Sequence, residues 1–255
     1  MLITLSSLAD PVLLSMRQAQ VRTLTGALDI YWLRKATQAT HYLISVKESP
    51  IGYCIIEDST LMEFFVMDGK HAQSALEILL AQQRISKAII STRNPRVLSL
   101  CLDHSSYVKP IAYLFYDEVR THLPLLEGYS FRLATMADYN SVVLYDSRSE
   151  TLAERIASKS KFVLLKDNAV IGVGGISYNQ YQPQYADIGA ELDASFRNKG
   201  LGSAVISRLK AECYQRNIIP TCGCDIDNAA SKRMLEKAGF YPTDRVLEIG
   251  FGSQK

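Results

Sequence analysis

One pattern is written twice along this chain, and it limits the fold more than any other feature. The segments "HYLISVKESPIGYCIIED" (41–58) and "FVLLKDNAVIGVGGIS" (162–177) both read strand, lysine, polar turn, Ile-Gly, strand. "LMEFFVMD" (61–68) matches the strand that ends in "AELD" (190–193). "KAIISTRN" (87–94) matches "IIPTCGCDI" (218–226), which leads to Asn228. Each asparagine is followed 13 residues later by a tyrosine, Asn94 by Tyr107 and Asn228 by Tyr241. Helical spacing intervenes in both copies. Leu76, Leu79 and Leu80 share a face in 74–83, and Val205, Ile206, Leu209 and Cys213 share one in 203–217. Strands alternating with helices predict a mixed α/β fold in two halves. Pro124 and Gly128 break the pattern between them, so the chain divides into 1–124 and 125–255.

Composition narrows the function classes. A hydrophobic content of 47% and a charged content of 21% describe an ordinary globular chain. A net charge of +2 does not suit a general nucleic-acid binder. No apolar run approaches the roughly 18 residues that a membrane helix needs. The apolar start carries no preceding positive charge, which makes it a poor signal peptide. With five cysteines and no export signal, reduced thiols and a cytoplasmic location are expected. Cys222 and Cys224 share one strand face, but the four histidines lie far away in sequence, so no metal site is expected.

The two halves differ at one junction. In the second half, "FRNKGLGS" (196–203) separates the strand 185–192 from the helix that follows. Gly200 and Gly202 let the backbone approach a ligand and leave amide N–H groups unobstructed. Those amides are the unpaired donors of a helix's first turn, and Arg197 and Lys199 add full positive charge. The stretch is either an anion cradle for a phosphate or diphosphate, or a tight surface turn. It has no G-K-[ST] ending, so a P-loop is not supported. Nor do Gly172 and Gly174 make a dinucleotide motif: Ser177 stands where a third glycine belongs and no helix opens there. They are expected to ease a bend or bulge in a strand. On the strand 185–192, Asp187 and Glu191 point to one face, and Ile188, Ala190 and Leu192 to the other. Asn228 is a suitable N-cap for the helix 229–238, with Gly239 just past its end. Ala230, Met234, Leu235 and Ala238 form that helix's apolar face.

Arg197, Gly200 and Gly202, then Asn228, then "EKAGF" (236–240), in this order and between these elements, resemble the GNAT superfamily of acyl-CoA-dependent N-acyltransferases. The resemblance covers about residues 129–251. It implies acetyl-CoA as co-substrate, with the diphosphate held by the amides of Asn198, Lys199, Gly200, Leu201, Gly202 and Ser203 and with Arg197 nearby. It also implies a pantetheine arm along the strand ending at Leu192, whose amide could polarise the thioester carbonyl, and contacted from the other side by Asn228. The acceptor would be a primary amine of a small molecule or peptide, attacking directly in a ternary complex. Asp187 or Glu191 would serve as base, or both are solvated or paired strand carboxylates. Many members carry a tyrosine that protonates the leaving thiolate. Here Leu235 holds that place, and Tyr178, Tyr181 and Tyr185 lie on the acceptor side. The alternative is a GNAT-fold module that senses acyl-CoA without turnover; another acyl group is a third reading.

The first half is then a worn copy. Asp68 to Asn94 spans 26 residues and Asp193 to Asn228 spans 35. The shortfall of nine equals the length of "ASFRNKGLG" (194–202), and "GKHAQ" (69–73) stands in its place. Only the second half is expected to bind coenzyme A. The first would wall the acceptor cleft or stabilise the fold.

Overall fold

The computed structural model describes residues 3–7, 10–82, 84–145 and 151–252. The chain forms two compact units: residues 1–114, 225–227 and 244–255 make the first, and 115–224 with 228–243 make the second. The repeat pattern divides the chain by sequence at 124/125; by contacts, the C-terminal residues from 244 onward belong to the first unit.

The first unit contains β1 (Ile3–Ser7), α1 (Asp10–Val21), α2 (Ile30–Gln38), β2 (Thr40–Val46), β3 (Ser49–Glu57), β4 (Thr60–Val66), α3 (Gly69–Ala81), β5 (Lys87–Ser91), α4 (Pro95–Leu102) and most of β6 (Ser105–Asp117). Its sheet runs β1-β2-β3-β4-β5 and continues with the outer part of β12 (Phe240–Phe251), then β6. Residues Val246–Gly250 of β12 pair antiparallel with Ser91–Lys87 of β5. The sheet is apolar on both faces because helices cover both. On β3, Cys54 and Ile56 pack with Leu76, Leu79 and Leu80 of α3, while Tyr53 and Ile55 pack with Leu13 and Met16 of α1 and Ala36 of α2. Alternation along the strand sends neighbours to opposite layers.

The second unit contains β7 (Tyr129–Leu133), α5 (Tyr139–Val142), α6 (Leu152–Ala157), β8 (Lys161–Lys166), β9 (Ala169–Tyr178), β10 (Tyr185–Leu192), α7 (Leu201–Gln215), β11 (Ile219–Asp225) and α8 (Ala229–Lys237). Its strand order is β11-β10-β9-β8-β7. The repeated hairpin keeps the same turn in both copies. Lys47 and Glu48 have φ of 49° and 67°, and Asp167 and Asn168 have φ of 49° and 64°. Positive φ at both central residues matches the strand twist of a two-residue hairpin. Gly172 and Gly174 sit within β9, and a register shift in the β8–β9 pairing falls beside Gly172, between Leu164 and Leu165. A Cβ on Gly172 would lie 2.8 Å from the Glu191 carbonyl oxygen, so close strand approach as well as the bulge requires glycine there.

Candidate acyl-donor site in the second unit

The site begins where two strands part. β10 and β11 run parallel but pair only at Tyr185–Asp187 with Ile219–Thr221. Beyond that, β10 continues to Leu192 without a β11 partner. On its other side β10 stays paired with β9 as far as Leu192 opposite Gly172. The parity of that ladder follows from its ends: Asn179 N–H donates to Tyr185 O at 3.3 Å and Asp193 N–H to Ile171 O at 2.9 Å. Odd-numbered residues therefore turn their backbone toward β9, and Ala190 and Leu192 turn theirs into the gap. The Leu192 carbonyl accepts from Arg197 Nε at 3.0 Å, which fixes the arginine at the mouth of the gap.

Helix α7 starts at the same point. Asp193 closes a short turn by accepting from Ser195 N–H at 2.9 Å, after which Asn198 (φ 62°) and Gly200 (φ 79°) take left-handed conformations. Gly200 is the N-cap, and among the described residues no side chain caps the helix. The first intrahelical bond is Ala204 N–H to Gly200 O at 3.1 Å, so the amides of Leu201, Gly202 and Ser203 have no intrahelical acceptor. The helix behind them is held rigidly. Val205, Ile206, Leu209 and Cys213 are fully buried, and the Ser203 hydroxyl donates to Met234 O at 3.0 Å, tying α7 to α8.

Helix α8 forms the facing wall. Asn228 Oδ1 caps it by accepting from Ser231 N–H at 2.9 Å, and Gly239 (φ 87°) ends it. Leu235 and Ala238 enter the core as the spacing predicts, but Ala230 and Met234 do not. They line a cleft that encloses about 1350 Å³, its open mouth included, together with Glu191, Leu192 and the loop 197–203. Arg233 and Lys237, one turn apart on α8, line it too. Among the described residues neither is ion-paired, so with Arg197 the cleft carries three cations against the single carboxylate of Glu191. A Cβ on Gly202 would lie 2.6 Å from Met234 Sδ, and one on Gly200 would lie 3.6 Å from Lys237 Nζ. The two glycines keep α8 close to the amides.

Of the residues singled out from sequence, Glu191, Leu192, Arg197, Asn198, Gly200, Gly202, Ser203 and Asn228 come together around this cleft. Lys199 and Leu201 do not line it. Lys199 Nζ sits 5.1 Å over the Phe196 ring, and the Leu201 side chain is buried. Asp187 and Glu191 lie on one face of β10, Asp187 half-buried and Glu191 exposed. Gly189 stands between them, and a Cβ there would meet nothing within 4 Å, so this face is open. Tyr178 is hydrogen-bonded to Arg216. Leu235 is buried in the core. Tyr145 was not anticipated; burial raises its pKa first, with Asp193 and Glu191 adding to the effect, so it stays protonated near Glu191. The helical spacing of Arg233 and Lys237 was the signal for the extra cations, since both share the Ala230–Met234 side of α8. None of the five cysteines is in a disulfide, and burial pushes the thiols of Cys54, Cys101 and Cys213 up to about 12. Among the described residues no group of three His, Cys, Asp or Glu side chains is placed to hold a metal ion.

The first unit has the same helix at the same place in the pattern, with a different start. Asp68 is its N-cap: Oδ1 accepts from Lys70 N–H at 3.0 Å, and Oδ2 lies 2.8 Å from His71 Nδ1. Helix α3 begins at Gly69, so "GKHAQ" is helix rather than a substitute loop.

Two family models match this chain: an acetyltransferase (GNAT) domain over residues 12–118 and the acetyltransferase (GNAT) family over residues 130–240. The chain belongs to the GNAT superfamily. It is an acyltransferase with two GNAT-like halves in a mixed α/β fold. Its structure superposes on a GNAT-family acetyltransferase from Colwellia psychrerythraea with a TM-score of 0.88, at 21% identity, over 98% of this chain and 100% of that one. A tandem GNAT protein from the clavulanic acid biosynthesis pathway aligns at 12% identity with a TM-score of 0.66, over 100% of this chain and 99% of that one. A GCN5-related N-acetyltransferase from Sphaerobacter thermophilus aligns at 13% identity with a TM-score of 0.67, over 98% and 95%. At these identities the likeness is one of fold. No curated protein gives a significant match. No helix among the described residues is long and apolar enough to cross a membrane.

Proposed function

We propose that the second half is an acetyl-CoA-dependent N-acetyltransferase acting on a primary amine of a small molecule or peptide. One observation carries this reading: α7 presents uncapped amides where β10 turns its backbone into an open gap. The amides of 198–203, with Arg197, hold the diphosphate by charge-assisted hydrogen bonds and the helix dipole. Lys199 contributes through its amide and its field, since its side chain rests on Phe196. Arg233 and Lys237 balance the remaining negative charge. The backbone of Ala190 and Leu192 pairs with the amides of the pantetheine arm as a missing strand would, and Asn228 Nδ2 approaches from the opposite wall, its oxygen being committed to the cap.

Bound acetyl-CoA supplies an activated thioester. The chain's part is to position the amine, take a proton and stabilise developing charge. The amine arrives over Gly189, where the strand face is open. Asp187 or Glu191 accepts its proton, directly or through water. The Leu192 N–H, aimed into the gap, donates to the carbonyl oxygen as it gains charge. Leu235 cannot assist the leaving thiolate, whose ordinary pKa of about 8–9 lets it depart without a proton. A cytoplasmic location belongs to the same proposal and rests on the odd set of cysteines, none in a disulfide.

The test is thiol release from acetyl-CoA with a panel of amines. Turnover on at least one amine is expected. Asp187→Asn or Glu191→Gln should lower it by at least about a hundredfold, most strongly at low pH, where the amine is hardest to deprotonate. Coenzyme A binding with no turnover on any amine would leave only a sensing role. If both variants keep the parent pH–rate profile, the base lies elsewhere.

A further inference from the structure

The first unit holds a recess of its own, enclosing about 640 Å³, part of it open to solvent. It lies between the segment joining α1 to α2 and the strands β4 and β5, which pair only at Thr60–Lys87 and Leu61–Ala88 before parting. Its polar groups are organised around one phenol. Arg17 Nε and Nη2 lie 3.1 and 2.6 Å from Glu63 Oε2. The Tyr53 hydroxyl is 2.7 Å from the same oxygen and 2.6 Å from the Gln20 side-chain amide. Arg17 is 1% exposed, Gln20 3%, and the Glu63 side chain 10%.

The proton count decides what faces the recess. A phenol donates one hydrogen, and an ionised carboxylate only accepts. Tyr53 therefore donates to Glu63; burial, then the Glu63 charge, hold its pKa well up and keep the proton in place. Gln20 must meet the Tyr53 oxygen with its NH₂ group, and its carbonyl turns the other way. Amide orientation is fixed by the network in this manner. Among the described residues that carbonyl and Glu63 Oε1 have no partner, both residues line the recess, and neither atom is sealed from solvent. A third acceptor is Asp29, partly exposed to the recess; it caps α2 by accepting from Trp32 N–H at 2.9 Å, and burial raises its pKa. The cations nearby are committed. Arg17 is bound to Glu63, and Arg93 to Asp244 at 3.1 Å and to Ala27 O at 3.2 Å. Acceptors remain, with the carboxylate of Asp29, which feels Arg93 and Arg34 but is in no ion pair among the described residues, backed by the apolar walls of Leu28, Trp32 and Met62.

We propose that this recess binds a small primary amine as its ammonium ion, the three N–H groups directed to Glu63 Oε1, the Gln20 carbonyl and Asp29, and the hydrocarbon body against Trp32, Leu28 and Met62. The inference is independent of the coenzyme A reading of the second half. Trp32 is the chain's one tryptophan, so its emission reports on this recess. Titration with benzylamine should give a saturable change. Benzamide, of the same shape but neutral, should bind at least about tenfold more weakly, and benzoate should give no response. Asp29→Asn keeps a residue that can cap α2 and should weaken benzylamine binding at least about tenfold, with the urea midpoint showing that the variant is folded. Equal responses to benzylamine and benzoate, a response that never saturates, or unchanged affinity in a folded Asp29→Asn protein would overturn the proposal. Should that variant not fold, the three-probe comparison on the parent protein decides.

Discussion

Helices α3 and α7 follow β4 and β10, matching strands of their respective halves, and their first turns are opposites. At α3 the carboxylate of Asp68 sits on the amides. At α7 the cap is Gly200 in a left-handed conformation, and no side chain among the described residues caps them. A helix N-terminus has the same unpaired donors and the same dipole in both cases. One half satisfies them with its own anion; the other leaves them for a ligand. The nine-residue difference between the halves is what makes this so. The longer connection runs through a turn at 194–196 and two left-handed residues before the helix begins, which keeps side chains off the amides. The shorter one passes from strand to helix at Asp68.

The halves also differ in how each holds its most deeply buried cation, and this gives the largest expected effect. In the first unit Arg17 is bound to Glu63. In the second, Lys210 lies 2.6 Å from Asp117 Oδ1 and donates to Val119 O at 2.7 Å and Ala238 O at 2.8 Å, pinning the end of α8. Lys210→Met leaves the buried Asp117 carboxylate without its cation and takes a donor from two carbonyls, and should lower stability in urea by about 3–5 kcal/mol. Next comes Gly202→Arg. Met234, a flexible thioether, yields to the new Cβ, and the arginine fills the cleft; calorimetry should show coenzyme A affinity down at least about a hundredfold, or about 2.7 kcal/mol. Gly200→Asp puts a carboxylate at the start of α7, as Asp68 does for α3, though on a left-handed rather than an extended backbone. Its carboxylate should weaken coenzyme A by about tenfold, or about 1.4 kcal/mol, and an unchanged affinity would break the comparison. The smallest effect is Asp68→Ala, which should leave coenzyme A affinity unaltered and lower the urea midpoint slightly. The Lys70 amide, then His71, hold the Asp68 pKa below the usual carboxylate value. The folded pKa is thus the lower one, so the cap stabilises above the ordinary carboxylate range and its contribution disappears as pH falls through the folded pKa. The difference between parent and variant should close in acid.

Much of the second half was legible residue by residue. Asn228 and Gly239 bracket α8 because a side-chain cap and a left-handed terminator are local requirements. β8, β9 and β10 fall where alternation and the Asp167–Asn168 turn put them. Helix α3 starts five residues before the helical spacing of 74–83, because "GKHAQ" carries no apolar periodicity and its helical state depends on the Asp68 cap. Residues 10–38 gave no reading, yet they form α1 and α2 and cover one face of β3. The apolar stripe of α8 was misread in part: Ala230 and Met234 have core spacing but line the cleft, and the same turn of the helix brings Arg233 and Lys237 to it. Spacing gives the side of a helix, and only packing says whether that side meets a core or a cavity.

By itself the sequence determined the repeat, the order of strands and helices, the caps and the glycine-bearing junction, because each follows from local backbone preference and side-chain periodicity. Tertiary structure decided where β10 and β11 part, which way the Ala190 and Leu192 backbone faces, and that Lys199 turns to Phe196 while Arg197 stays at the mouth. It also decided that Tyr53, Glu63 and Gln20, from three separate elements, meet in one hydrogen-bond network. Those outcomes depend on pairing and desolvation between distant segments, which no local pattern encodes.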